Sequence, residues 1–457
     1  YTTDGVYSML KDNMTYKGSS SGNNSFCRQY FLLNELKGDN ICFSWTSTDA
    51  FWTSACYRDD ANSRDAGYMW MICYKMIYAT NANIAGLKET DIPSEANQLL
   101  GENYFLRAFL HFNLCNIFCK PYSFGKDNPG VVLRIGVDSY TKTERATLEK
   151  CYEAIEKDLQ KAVSLMDPST ARGDNGYATK ESAQALLSRL YLYQGEWQKC
   201  IDISTELLGD DPSSHLETTL TDIYQKSQTS KEVLFCIDMT DADVGSLSTA
   251  KGLIGSMYDS PDGTQLVGWG ELYVADPLLD LLTRFPGQDK RYTQLVRLHR
   301  SGGTTAADNK APDGLMVTWG EFDEVNSCLR QIVTYPDVTV TGGVITGLSS
   351  SVTDNGDGTY SFTKDGKAYK AIPDNTASKI CNDFPGYILN DGKNTRCYVR
   401  HSIPVPSIDE GNVTWEGGGM SIRTGGYPSW FCSKLSIKDG ASLPLYTSYP
   451  LIRYAEV

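Results

Sequence analysis

Apolar residues recur at Leu148, Tyr152, Ile155, Leu159, Ala162 and Met166, in alternating steps of four and three that put all six on one stripe of an α-helix. Looser versions of the same period run from Tyr68 to Leu87, through Trp70, Cys73, Ile77 and Ile84, and from Glu95 to Phe118, through Leu99, Leu106, Leu110 and Ile117. Each predicts a helix that packs against neighbours. Further on, Ala183, Leu186, Leu190 and Tyr193 precede Gly195, and Trp197, Ile201, Ser204 and Leu208 follow it. Two amphipathic helices thus meet at one glycine, which can take the positive φ that a helix C-terminus favours, while Glu196 suits the positive start of the next helix. Paired helices of about 34 residues, with small residues at the close approach, are the tetratricopeptide pattern, in which stacked pairs bury a shared core. The Pro/Gly/Asp-containing segment 120–146 makes the spacing uneven, so the expectation is a decorated helical scaffold. Trp70 and Trp197, both on helical stripes, are assigned to packing.

After about Gly209 the texture changes to glycine-rich segments punctuated by aromatics. One further helix start stands at Asp276-Pro277, where Asp caps and Pro fits the first turn. Residues 338–372 alternate apolar and polar positions around Asn355-Gly356 and Asp357-Gly358, as hairpin strands do. Asp354, Asn355 and Asp357 do not match the register of a calcium loop and read as a plain turn. The fold class expected is mostly α: tetratricopeptide-like helix hairpins followed by an irregular, loop-rich half with a small β insertion. The helical core is expected at 66–208, the loop-rich part at 209–457 and the β insertion at 338–372, and length alone leaves the domain count open.

Composition narrows the function classes. Lys plus Arg number 42 against 56 Asp plus Glu, a formal charge of -14 that repels nucleic acid and anionic lipid at long range. No run of about 18 apolar residues is present that could form a membrane-spanning helix. The chain opens at Tyr1 without Met or an apolar leader, so any targeting segment or lipid-bearing Cys is expected upstream of it. Thirteen cysteines are scattered with no C-x-x-C pair. Cys115 and Cys119, near His111, sit four apart on a predicted helix and read as small buried hydrophobes, not as a zinc site. The odd total argues against a complete intramolecular disulfide framework. No metal and no cofactor is expected.

Reaction chemistry leaves few marks. H-E-x-x-H, G-x-x-x-x-G-K-[ST], G-x-S-x-G and a G-x-G-x-x-G after a strand are all missing, which removes the simplest metalloprotease, NTPase, hydrolase and dinucleotide readings. His111, His215, His299 and His401 lie far apart in sequence. A glycoside hydrolase needs only two suitably spaced carboxylates, so the acidic residues neither exclude nor support one. The more informative excess is aromatic, at 28 Tyr, 15 Phe and 8 Trp. Many stand beside Gly, Ser, Asp and Asn in "CFSWTSTDAFWTSACYRDD" (Cys42 to Asp60) and "GSMYDSPDGTQLVGWGELY" (Gly255 to Tyr273). Flat apolar faces next to hydrogen-bonding groups suit a sugar ring or a peptide. The candidate ligand-binding residues are Trp45, Trp52, Tyr57, Tyr258 and Trp269.

Six segments carry a family resemblance: "YKMIYATNANI" (Tyr74 to Ile84), "GENYFLRAFLHFNLCNIF" (Gly101 to Phe118), "ATKESAQALLSRLYLYQGEWQKCIDIS" (Ala178 to Ser204), "DPLLDLLTRFPGQDKRY" (Asp276 to Tyr292), "YPSWFCSKL" (Tyr427 to Leu435) and "PLIRYAEV" (Pro450 to Val457). Taken together, these segments resemble the SusD/RagB family of surface lipoproteins from Bacteroidota. They run in family order across nearly the whole chain. The resemblance implies one domain over 1–457, mostly α, in which four tetratricopeptide-like helix pairs back an irregular, loop-rich, ligand-facing half. It also implies noncatalytic capture of a nutrient oligosaccharide, or in some members a peptide, at the outer membrane. The partner it implies is a SusC-like TonB-dependent transporter, and the anchor it implies is an N-terminal lipid, upstream of Tyr1 here. Both termini look clipped relative to the family pattern. Ligand residues vary among members without a shared motif, so none carries over by pattern.

Overall fold

The computed structural model describes residues 2–19, 24–43, 51–88, 94–138, 141–240, 243, 272–283, 289–300, 314–318, 338–341, 344–348, 352–356, 360–364, 367–374, 386–390, 395–399, 428–432, 434 and 448–457. Its helices are α1 (Thr3–Met9), α2 (Phe26–Glu35), α3 (Phe51–Ala55), α4 (Arg64–Lys88), α5 (Ser94–Phe118), α6 (Leu148–Leu165), α7 (Lys180–Gln194), α8 (Trp197–Leu208), α9 (Leu220–Gln225), α10 (Asp276–Thr283) and α11 (Lys290–Leu295). The chain divides into two compact units. One comprises Tyr1–Lys37, Cys56–Ile254 and Lys434–Val457, the other Gly38–Ala55 and Gly255–Ser433.

The first unit is a stack of helices in which α4 packs on α5, α5 on α6, α6 on α7 and α7 on α8. Leu148, Tyr152, Ile155, Leu159, Ala162 and Met166 are all buried, as their spacing requires. Thr147 starts α6 by accepting from the Lys150 N–H, and Thr179 forms a reciprocal capping box with Ser182 at the start of α7. Each such cap contributes about 1 kcal/mol. At the far end of α7, Gly195 takes φ 77°, ψ 16°, and the Glu196 N–H closes the turn on the Tyr191 carbonyl at 2.9 Å. This is the predicted hairpin.

Two expectations need correcting. The stripe assigned to α5 is too narrow, because residues 100–115 are buried on every side, so α5 is a central helix instead of an amphipathic one. Its polar side chains are partnered: Asn103 receives from Asn83 and donates to Thr3, Gln98 donates to the Ala178 carbonyl and, within α5, to Glu102, and Arg172 Nη2 donates to Glu102 at 2.9 Å. Small residues permit the close approach, since a Cβ on Gly101 would stand 2.5 Å from Met166 Cγ. On α8 the inward face is Ser204 and Leu207, with Ser204 bonded to Ser188 at 2.8 Å. Trp197 and Ile201 are turned out, so Trp197 does not serve packing: it is 63% exposed.

A strand pair completes this unit, β2 (Val233–Ile237) against β14 (Tyr449–Arg453), antiparallel with two register shifts. In the second unit, β1 (Ile41–Phe43) pairs with β3 (Leu272–Val274), and β4 (Val296–Arg300) pairs with β13 (Pro428–Cys432). The helix expected at Asp276-Pro277 is α10. The interval 338–372 holds β6 (Val338–Thr341) and β7 (Val344–Leu348) as one hairpin, followed by β8 (Val352–Asp354), β9 (Tyr360–Lys364) and β10 (Lys367–Asp374) as a meander. β10 also takes up β5 (Gly314–Thr318) on its other edge, while β11 (Gly386–Asn390) pairs with β12 (Thr395–Val399). Between β8 and β9 the Gly356 N–H donates to Asp354 Oδ1 at 2.8 Å with Gly356 at φ 74°, an ordinary Asx turn. Asp357 lies outside the described residues.

Candidate functional site

Within the helical unit, Trp70, Tyr74 and Tyr78 recur every four residues on α4, so their rings form one wall. The opposite wall is the segment after α5, with Val132, Arg134, Gly136, Asp138, Lys142 and Thr143. The cleft between them has a volume of about 540 Å³, within the span usual for small-ligand sites. Trp70 lies 4.9 Å from the Tyr74 ring and meets Phe118 edge-on at 5.1 Å, so it packs and lines the cleft at once. The Tyr74 hydroxyl donates to the Val132 carbonyl at 2.8 Å, joining the walls at the base. Burial pushes the Tyr74 phenol up from its ordinary range, so it stays a protonated donor.

The polar wall is held from behind. Asn81 Nδ2 donates to the Arg134 and Gly136 carbonyls, both at 3.0 Å, while its Oδ1 accepts from Arg107 Nη1 at 2.6 Å. Arg107 in turn forks onto Asp158 of α6, with both side chains nearly buried. His111 is clamped between the Arg107 carbonyl on Nδ1 at 3.0 Å and the Arg134 N–H on Nε2 at 3.4 Å. Its Nε2 therefore accepts and its Nδ1–H donates, the neutral form. Burial lowers its pKa to about 4. Arg134 closes its own segment by donating to the carbonyls of Asp138 and Thr141, at 3.2 and 2.7 Å. The result is a rigid shelf of exposed polar groups, Asp138, Lys142 and Thr143, facing an aromatic wall. Such a surface offers a ligand both stacking and hydrogen bonding.

The sequence-predicted ligand residues fall differently. Tyr57 follows α3, with its ring 69% exposed, its backbone at φ 55° and its hydroxyl donating to the Lys37 carbonyl at 2.8 Å. Trp52 falls within α3. Trp45, Tyr258 and Trp269 lie outside the described residues. Sequence reading passed over Tyr74 and Tyr78. Their four-residue step from Trp70 is visible in the chain, and it was absorbed into the stripe of a packing helix. Cys115 and Cys119 are free thiols, as are Cys27, Cys56, Cys73, Cys151, Cys200 and Cys236, and among the described residues no group of three or more His, Cys, Asp or Glu is arranged to hold a metal. Nor is any described helix long and apolar enough to cross a membrane.

Residues 15–192 match a SusD-like family model described as starch-binding and associating with the outer membrane. Comparison with curated proteins gives no match. Among solved structures, the chain is similar to a SusD superfamily protein from Bacteroides thetaiotaomicron, at 23% identity and TM-score 0.53, with 64% of each chain covered. It is also similar to a SusD superfamily protein from Bacteroides vulgatus, at 21% identity and TM-score 0.55, covering 66% of this chain and 65% of that one. A laminarin-binding SusD-like protein is similar at 19% identity and TM-score 0.51, covering 65% and 64%. The chain thus spans just under two thirds of the length of these structures. Residues 15–192 are thus similar to the SusD-like family, and about two thirds of the chain shares the fold of these SusD superfamily structures.

Proposed function

We propose that this chain captures a nutrient oligosaccharide or polysaccharide at the cell surface, without chemical change, and delivers it to a SusC-like TonB-dependent transporter. The observation that carries the binding reading is the wall of Trp70, Tyr74 and Tyr78 facing the polar shelf of Asp138, Lys142 and Thr143. Sugar rings present C–H faces that stack on aromatics and hydroxyls that exchange hydrogen bonds with such a rim. The family description and the laminarin-binding neighbour favour the same ligand class. Trp45, Trp52, Tyr57, Tyr258 and Trp269 are proposed as further platforms, Tyr57 on the strength of its exposed ring. An N-terminal lipid is the proposed tether to the outer membrane.

Stacking and hydrogen bonding of this kind give modest affinity, which suits a carrier that must also release. Confinement beside a transporter raises the effective concentration of the ligand and offsets the weakness. The test is native affinity electrophoresis in gels containing soluble starch, laminarin or other polysaccharides. The wild-type chain is retarded by at least one glycan, and Trp70→Ala weakens that retardation about tenfold. Retardation of both Trp70→Ala and Tyr78→Ala equal to that of the wild type would reject this cleft. New reducing ends after long incubation would reject the noncatalytic reading, and retention of peptides with no retention of glycans would move the ligand to the peptide class.

A further inference from the structure

A second groove lies at the C-terminal end of α5, where Phe112, Asn113, Cys115 and Asn116 line it. One stretch, about 640 Å³, is bounded by Tyr122, Tyr152, Tyr193, Gln194 and Trp197. The adjoining stretch, about 390 Å³, is bounded by Tyr30, Phe112 and the strand β14. Asn34, Asn116 and Tyr193 line both, so the two stretches are continuous. A continuous groove of this length fits several linked units of a polymer better than one small molecule.

Three observations point to an occupant. Trp197 and Tyr193 are 63% and 46% exposed, although both were free to pack on a helical stripe. Tyr193 is braced by Phe112 at 5.3 Å, so its ring is a fixed platform. Gln194 touches the Tyr122 hydroxyl, yet its Oε1 is buried with no hydrogen-bond partner among the described residues. A buried acceptor left unpaired costs stability that a donor from a ligand would restore. The side chains that offer polar atoms around Trp197 are mainly neutral amides and phenols, with Lys120 the one charged group among the described lining of that stretch. This chemistry recognises hydroxyls. A peptide added as a strand is disfavoured, because on β14 Pro450 has no N–H and the Leu451 carbonyl already accepts from Arg189 Nη2 at 3.4 Å.

We propose that this groove is a second carbohydrate-binding surface, taking a neutral oligosaccharide of several units that stacks on Trp197 and Tyr193 and donates a hydroxyl to Gln194 Oε1. The proposal rests on the reading that the ligand is a glycan, and it adds a site separate from the cleft of Trp70. Two sites on one chain would hold a long polysaccharide more tightly than either alone.

The test uses the same gels, with soluble starch and laminarin as probes, and compares Trp197→Ala, Gln194→Leu, Trp70→Ala and the Trp70/Trp197 double variant. Trp197→Ala is expected to weaken retention about tenfold at an unchanged melting temperature, because its ring is exposed, and the double variant loses retention altogether. Gln194→Leu is expected to weaken retention while keeping or raising the melting temperature, which a purely structural glutamine would not do. Wild-type retention in Trp197→Ala and Gln194→Leu, with a loss in Trp70→Ala, overturns the second groove and spares the first. Loss in Trp197→Ala with none in Trp70→Ala supports the groove and overturns the first cleft. Absence of wild-type retention in both probes, with binding of casein-derived peptides that Trp197→Ala abolishes, overturns the carbohydrate assignment.

Discussion

Arg107 and Asp158 form a two-pronged ion pair between α5 and α6, with Nε donating to Oδ2 at 2.8 Å and Nη2 to Oδ1 at 2.6 Å. The remaining prong, Nη1, reaches Asn81, so one guanidinium joins three helices and supports the shelf of the cleft from beneath.

Removing that guanidinium should be costly. Arg107→Met leaves Asp158 buried without its counter-charge and should lower stability by about 3–5 kcal/mol in urea unfolding. Replacing both residues, as Arg107→Met with Asp158→Leu, should recover much of the loss, because the penalty lies mainly in the stranded charge. A double variant as unstable as the single one would contradict this account.

His111 makes stability depend on acid. Its folded pKa, about 4, lies below the ordinary 6.5, so between these values the unfolded chain binds the proton that the folded chain refuses. The contribution is complete above about pH 6.5 and is lost as pH falls through about 4, on the order of 3 kcal/mol in all. Unfolding measured at pH 7, 5.5 and 4 should show this decline. His111→Gln should be flatter across the same window, and an unchanged slope would exclude His111 as its source.

Gly101 marks the contact of α5 with α6. A Cβ there would meet Met166 Cγ at 2.5 Å and the Ala162 carbonyl at 3.3 Å. Met166 can yield, whereas the carbonyl cannot easily do so. Gly101→Ala should therefore destabilise by about 1–3 kcal/mol despite its better helix propensity, as thermal melting would reveal.

Gly195 gives the opposite case, with open space but a demanding backbone. Its nearest side-chain atom to a Cβ, on Trp197, is 3.7 Å away, and its φ is 77°. Gly195→Ala should cost about 1 kcal/mol for the left-handed conformation alone, and Gly195→Asn less. Equal melting temperatures for all three would mean that the turn has shifted.

The helical scaffold was legible because its signals are local. The stripe from Leu148 to Met166 and the glycine between α7 and α8 each fix their structure within a few residues. α5 was harder to read. A helix buried on every side loses its amphipathic contrast, and its polar residues declare their purpose only through partners such as Asp158, 51 positions away from Arg107. The outward turn of Trp197 was hidden for a related reason: Ser204 and Leu207, not the larger residues, face α7. The cleft of Trp70, Tyr74 and Tyr78 has a readable aromatic wall, but its polar wall comes from Val132, Arg134, Gly136, Asp138, Lys142 and Thr143, which no short-range pattern connects to α4.

The polar groups inside α5 also act as a key cut for one lock. Sliding this helix by a single position would carry the Arg107 charge away from Asp158 and Glu102 away from Arg172, whereas an all-leucine rod would tolerate the slip. Alignment of the surrounding helices is thereby selected by mismatch penalties.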